Sequence, residues 1–318
     1  MELSVDRYHL LVAERFILLM IWHREEGIAR TLDLSLAFGI AAAFCWGTSD
    51  FVAKIAVAKI GYLRTTLFMQ CVGIVFMLLL IGSDIVRLMR FPTEIYFLVA
   101  LGGVNAIGTV ALFKSFEVGQ LSLMSPISSS YPALSSVLAL LFLDEHITQT
   151  RLVGITCIFV GILLVSFQRK LSDRPRPKRI AAGVGYAIVA FWCMGFLYFA
   201  LKYVVTDLGG FLPVLVLRIV TASIVGMILL FFGSRPIRGQ ASAFHLVVFV
   251  GIVDSLANVS YNVGISIGTV AVVSFVSSLF STVTILLACV MLRERLTSHQ
   301  AIGILSIISG IAIVGYFP

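Results

Sequence analysis

With 318 residues, 59% of them hydrophobic and only 12% charged, the chain has a mean hydropathy of +1.05, far from the usage of soluble domains. That balance excludes a water-soluble enzyme and a disordered regulator, and it makes the lipid bilayer the solvent of the fold. The net charge of +7, from 23 basic and 16 acidic residues, then reports topology rather than a nucleic-acid partner.

Residues 1–33 come first and stand apart. Phe16 to Trp22 is a seven-residue apolar run behind Glu14 and Arg15, too short for a hydrocarbon core of roughly 30 Å, which takes about 20 apolar residues per helix. Its flanks lack a small-residue cleavage site. The stretch reads either as an interfacial amphipathic helix or as a mis-assigned start, and not as an eleventh span. From residue 34 onward, apolar runs between polar punctuation predict ten spanning helices, at 35–57, 62–82, 94–114, 120–142, 151–168, 180–203, 211–233, 242–263, 268–292 and 299–317. These runs are long and continuously apolar, so they do not alternate as the strands of a membrane barrel would.

The two halves repeat one another. Residues 111–167 recur at 260–316 with an offset of 149: Gly119 falls on Gly268, Ser125 on Ser274, Ser128 and Ser129 on Ser277 and Ser278, Glu145 on Glu294, Gly154 on Gly303 and Gly161 on Gly310. An odd number of spans per repeat sends the second copy into the membrane from the opposite side. The predicted fold class is therefore an all-α membrane protein of ten transmembrane helices in two inverted five-helix repeats, 34–168 and 180–318, joined by a basic linker at 169–179.

Which side faces the cytoplasm is contested within the chain. A cytoplasmic N-terminus exports Arg169, Lys170, Arg174, Arg176, Lys178 and Arg179 with the linker, against the positive-inside rule. The reverse orientation keeps these inside and exports Arg7, Arg15, Arg24 and Arg30. The second is favoured, and clearly so if residues 1–33 are not translated.

Each half carries a Glu-x-apolar-Thr loop followed by two glycines seven apart: Glu145-His146-Ile147-Thr148 with Gly154 and Gly161, and Glu294-Arg295-Leu296-Thr297 with Gly303 and Gly310. Each first span carries an aromatic motif, Phe44-Cys45-Trp46-Gly47 and Phe191-Trp192-Cys193-Met194-Gly195, and an arginine opens each second span, Arg64 and Arg218. Paired and in order over residues 35–317, these elements resemble the EamA-type domain of the drug/metabolite transporter superfamily. The resemblance implies a ten-helix carrier working by alternating access, with the first, third, fourth, sixth, eighth and ninth helices around a central cavity. It implies no particular substrate.

Ionisable groups within a span cost on the order of 2.5 to 3.5 kcal/mol, so each needs a reason. Asp254, near the middle of the eighth span, falls on Asn105 of the third under the 149 offset. With no basic residue in its own span, Asp254 is a candidate for substrate binding or proton exchange; the plainer reading is a structural acid bonded to a neighbouring helix. Trp46, Asp50 and Lys54 share one face at i, i+4 and i+8. They form either a cavity wall or a self-neutralising pair with Lys54 snorkelling to the interface. Lys114, Arg64 and Arg218 read as interfacial anchors.

Serines crowd the fourth and ninth spans, where Ser128, Ser277 and Ser278 serve either close helix packing or a site. Pro126 and Pro132 bracket Ser128 to Tyr131, and a proline bend frees backbone carbonyls toward the interior. Tyr131, Asn258, Tyr261, Asn262 and Trp192 complete the candidates, while Gly102, Gly103 and Gly108 read as packing glycines. All five cysteines lie in predicted spans without close-spaced pairs and the five histidines scatter. Neither a disulfide, a metal nor a cofactor is expected.

Function therefore reads as secondary transport of a small polar metabolite across the cell (inner) membrane, by an exporter or a proton-coupled carrier. An intramembrane enzyme would need a nucleophile with its base, a metal cluster or paired acids, and a passive pore would need polar residues along a continuous path. The expected partners are a small-molecule substrate and the lipid bilayer, with no nucleic acid; a homodimer is compatible with the sequence.

Overall fold

The computed structural model describes residues 34–82, 92–118, 130–143, 148–166, 177–232 and 240–292, with single positions between 299 and 313. Among the described residues there is no strand. The helices are α1 Leu34–Ile60, α2 Tyr62–Ile81, α3 Pro92–Val118, α4 Tyr131–Phe142, α5 Gln149–Ser166, α6 Pro177–Ala200, α7 Lys202–Leu208, α8 Leu212–Phe232, α9 Gln240–Ile267, α10 Val270–Ser277 and α11 Phe280–Leu292.

Six of them, α1, α2, α3, α6, α8 and α9, are long and apolar enough to cross a membrane. Most of the expected tenth span, the segment from Gly119 to Ser129 and the whole of residues 1–33 lie outside the described residues, so the count of ten is not read from the fold. Apolar side chains stand on the outside, among them Leu79 at 79%, Phe231 at 81% and Leu230 at 84% exposed. In water such a surface would aggregate. Against acyl chains it is the ordinary exterior of a bundle.

Two expected spans are broken, and in the ninth the side chains show why. The ninth, expected over 268–292, divides into α10 and α11 around Ser278 and Leu279. Ser277 Oγ donates to the Ser274 carbonyl at 2.9 Å and Ser278 Oγ to that of Phe275 at 2.5 Å, while the Leu279 amide reaches only three residues back, to Val276 at 3.2 Å. Hydroxyls bonding back onto the helix compete with its own ladder and loosen it. The sixth ends at Ala200 and resumes as α7 after a turn at Leu201. Pro132 does not bend a helix here: it sits in the first turn of α4, where its missing N–H costs nothing.

A second register ties the halves together near their first helices. Shifted by 148 residues, Trp46 falls on Met194, Gly47 on Gly195, Asp50 on Tyr198, Lys54 on Lys202 and Gly61 on Gly209. Gly61 and Gly209 both have positive φ, 83° and 73°, a backbone that a side chain would strain. The same turn thus closes both copies. Lys202 caps the end of α9, its ammonium donating to the carbonyls of Ile265 and Gly268, where cations suit the helix dipole.

The packing exchanges the halves. α1 lies along α9 and α6 along α3; α8 packs on α2 and α3, α9 on α2; α4 meets α6 and α10, while α10 and α11 meet α1. Every long helix of one copy therefore leans on the other copy. Close approach depends on glycine: a Cβ on Gly47 would lie 2.5 Å from Val283, one on Gly102 2.6 Å from Val220 and one on Gly108 3.0 Å from Cys193. Gly103, read as a packing glycine beside them, faces open space.

Candidate functional site

Between the two copies lies an open cavity, with about 950 Å³ not filled by atoms when its mouth is included. Its walls come from both halves: Trp46 and Asp50 of α1, Gln70 of α2, Asn105 and Thr109 of α3 and Tyr131 of α4, facing Tyr198 of α6, Arg218 of α8, Asp254 and Asn258 of α9 and Phe280 and Thr284 of α11.

The charged centre is an ion pair that no single span contains. Arg218 Nη2 meets Asp254 Oδ2 at 2.6 Å, with the two side chains 3% and 17% exposed. The same guanidinium donates from Nη1 to Gln70 Oε1 at 2.7 Å. Gly73 makes the space for it, since a Cβ there would come within 2.5 Å of Nη1. Two expectations change here. Arg218 is no interfacial anchor, because its head is buried among apolar helices rather than snorkelling to water, and Asp254 has its basic partner on a neighbouring helix. Arg64, the other expected anchor, is also buried, at 8% exposure. Lys114, the third of them, is partly exposed, paired with Glu117 at 2.6 Å and 4.3 Å above the ring of Tyr62.

Around the pair the polar groups are serially bonded. Asn258 donates to the backbone carbonyl of Asp254 at 2.7 Å and to Oδ2 at 3.2 Å, and it accepts from the Tyr198 hydroxyl at 3.2 Å. Asn105, the counterpart of Asp254, donates to Thr221 Oγ1 at 2.9 Å. Both polar positions of the repeat are thus pinned to α8, one by a neutral bond and one by charge.

The other wall is aromatic. The Trp46 ring centroid is 5.1 Å from that of Tyr198, 5.6 Å from Tyr261, 6.2 Å from Phe280 and 6.5 Å from Tyr131. Tyr131 stacks between Tyr198 at 5.2 Å and Phe280 at 5.7 Å. Behind this wall the hydroxyl of buried Tyr261 shares a 2.7 Å bond with Ser274 Oγ, which shares another with Ser135 Oγ of α4. The serines here lock α4 to α10, as small polar residues do between membrane helices.

Of the expected site residues, Trp46, Asp50, Asn105, Tyr131, Asp254 and Asn258 meet at the cavity. Tyr261 supports it from behind. Asn262 is turned away and donates to the Gly210 carbonyl at 3.1 Å. Ser277 and Ser278 spend their hydroxyls on their own helix, half-buried Lys54 is not among the lining residues, and Ser128 lies outside the described residues. Trp192 is 58% exposed on the outer face of α6. The reason is register: under the 148 shift its counterpart is Phe44, itself 59% exposed, whereas Trp46 pairs with buried Met194. That register also carries the signal for Tyr198, which the sequence reading missed, as the partner of Asp50. Gln70, Thr109 and Thr284 had no such signal.

Among the described residues, no three His, Cys, Asp or Glu side chains gather in a way that could hold a metal ion. Cys45, Cys71, Cys157 and Cys193 are free thiols.

Comparison with known proteins agrees with this architecture. An uncharacterized protein of Methanocaldococcus jannaschii is 27% identical over 135 residues, which is 42% of this chain and 98% of that one. It is therefore about as long as a single repeat. A crystal structure of another protein superposes with a TM-score of 0.74 at 16% identity, covering 89% of this chain and 96% of its own; at that identity the likeness is one of fold. The sequence pattern of the EamA-like transporter family matches twice, over residues 33–167 and 181–316. With its duplicated helical halves and apolar exterior, the chain belongs to the EamA-like transporter family and is a multi-pass membrane protein.

Proposed function

We propose that the protein is a secondary carrier that moves a small polar metabolite across the inner cell membrane by alternating access, one half rocking against the other around the cavity. In this reading the chain has ten spans in two inverted five-helix repeats, 34–168 and 180–318, with the linker 169–179 on the cytoplasmic side. The observation that carries the reading is the cavity itself. Its polar and aromatic walls are divided between the two copies, so any relative motion of the halves opens or closes it, as a carrier between repeats requires. The crossed packing of α1 on α9 and α6 on α3 supports the two-fold relation.

Asp254, Asn258 and Asn105 then form the polar side of the substrate site, and Trp46 and Tyr131 its apolar side. Purified protein in vesicles preloaded with a metabolite extract tests this. A carrier gives uptake of labelled solutes that saturates and is accelerated by unlabelled solute on the far side. Flux that rises linearly with concentration and ignores the far side would indicate a pore and overturn the proposal.

A further inference from the structure

Two residues related by a two-fold axis can touch each other only if they lie beside that axis. The register of the second helices is fixed by packing: a Cβ on Gly102 would lie 2.6 Å from Val220, and one on Gly251, the counterpart of Gly102, 2.8 Å from Val72, the counterpart of Val220. In that register the counterpart of Arg218 is Gln70, and not Arg64. The two are bonded to each other, Arg218 Nη1 donating to Gln70 Oε1 at 2.7 Å. Tyr131 falls on Phe280 under the 149 shift, and their rings stack with centroids 5.7 Å apart. Cys157 falls on Ser306, whose hydroxyl donates to the Cys157 carbonyl at 2.8 Å. Three pairs of counterparts, each on a different pair of helices, thus mark the course of the axis between the halves. It crosses the cavity, which Gln70 and Arg218 line on one side and Tyr131 and Phe280 on the other.

Away from that line the halves differ. Phe38, near the start of α1, packs on α9 near its end, where a Cβ on Gly264 would lie 3.3 Å from the Phe38 Cβ. The counterparts of this pair are Tyr186 and Ser115, and Tyr186 is 40% exposed while Phe38 is half-buried. When two repeats exchange conformations about the axis, an off-axis contact passes to its counterparts, whereas a contact on the axis passes to itself. We propose that the bond between Gln70 and Arg218 and the stack of Tyr131 on Phe280 are the stationary ends of the site, kept in both access states, while contacts such as Phe38 with Gly264 open and close around them. A substrate arriving from either side then meets the same polar end and the same aromatic end. This inference rests on the carrier reading and names the part of its site that does not move.

Two cross-links in the full chain test it. Ser306→Cys, with Cys157 kept and the other four native cysteines replaced by alanine, can be joined across the axis. Phe38→Cys with Gly264→Cys, in a chain freed of native cysteines, can be joined away from it, since the two Cβ atoms lie near disulfide separation. Thr109→Cys in the cavity wall reports access, as its rate of labelling by a sulfonated, membrane-impermeant maleimide in right-side-out and in inverted vesicles. Unlinked protein should be labelled in both. The axial link should change either rate by less than about twofold, whereas the off-axis link, which removes one access state, should slow one rate by about tenfold or more and spare the other. Reduction should restore it. A bis-methanethiosulfonate makes either link if oxidation does not, and Ser35→Cys with Gly268→Cys, whose Cβ atoms also meet, serves if the first off-axis pair fails to fold by thermal melting. An axial link that confines labelling to one face, off-axis links that leave both rates unchanged, or unlinked protein labelled from one face alone would each overturn the proposal. The carrier reading is judged separately, by whether solute flux saturates.

Discussion

Asn105 and Asp254 occupy one position of a duplicated scaffold and make different bonds there. Asn105 reaches Thr221 of α8 through a neutral hydrogen bond of 2.9 Å, and Asp254 reaches Arg218 of the same helix through an ion pair of 2.6 Å. The first helices differ in the same way, with Trp46 and Asp50 in one copy facing Met194 and Tyr198 in the other. Backbone features shared by the copies, such as the Gly61 and Gly209 turns, hold the halves to one shape, while the side chains at the cavity have diverged. A symmetric container thus encloses an asymmetric site.

Removing the charge from one partner tests that asymmetry most severely. Arg218→Leu leaves Asp254 buried without its cation and Gln70 without its donor. Loss of one member of a buried pair costs about 3 to 5 kcal/mol, so thermal unfolding in detergent should fall sharply and transport should vanish. Exchanging the pair for apolar side chains, as Arg218→Leu with Asp254→Leu, should recover much of the stability and none of the transport. If the double variant is no more stable than the single one, the pair is not what Arg218 serves.

Gly73→Ala perturbs the same pair by geometry alone. The added Cβ would lie 2.5 Å from Nη1, 2.6 Å from Cζ and 2.7 Å from Nε of Arg218, so the guanidinium must move away from Asp254 or Gln70. Overpacking of this kind costs about 1 to 3 kcal/mol. Gly103→Ala, on a helix with open space at that point, should instead be neutral or stabilising by about 0.5 to 1 kcal/mol, because alanine is the better helix residue. Equal effects at the two positions, read from melting temperatures, would contradict the packing described around Arg218.

Much of this was legible from residues alone, and the rest was not for identifiable reasons. Long apolar runs report spans because lipid demands them, so α1, α2, α3, α8 and α9 lie where the runs lie. Asp254 and Asn105 were found because charge or amide in such a run is expensive. The Arg218 partnership was hidden because 36 residues and a change of helix separate it from Asp254. Within their own spans the two therefore read as a lone acid and a peripheral arginine. The division at Ser278 was hidden because a serine run reads as helix packing until its hydroxyls are seen turned on their own carbonyls. Trp192 misled because a tryptophan beside a glycine motif looks like Trp46, although the motif places it two residues earlier relative to its glycine than Gly195 requires for the cavity face.

On the neutral side, Asn105→Ala removes one hydrogen bond and strands the Thr221 hydroxyl only partly, since that hydroxyl also lies 3.5 Å from the Gly102 carbonyl. The loss should be about 1 kcal/mol. Transport should fall less than in Asp254→Asn, which keeps the volume but removes the charge that holds Arg218. If Asn105→Ala were the more damaging for transport, the functional weight would lie in the first copy, and the asymmetry inferred from bond type would be reversed.

The smallest effect belongs to Trp192, and it tests the register that relates the first helices. The 148 shift places Trp192 with Phe44 on the outer surface, where both are more than half exposed. A side chain there meets lipid rather than substrate, and outward substitutions away from buried features change stability by less than about 0.5 kcal/mol. Trp192→Leu should therefore leave both the melting temperature and saturable transport unchanged, while Trp46→Leu, which opens the aromatic wall at its centre, should weaken substrate binding. Loss of transport in Trp192→Leu with the fold intact would mean that α6 turns its tryptophan inward during the transport cycle.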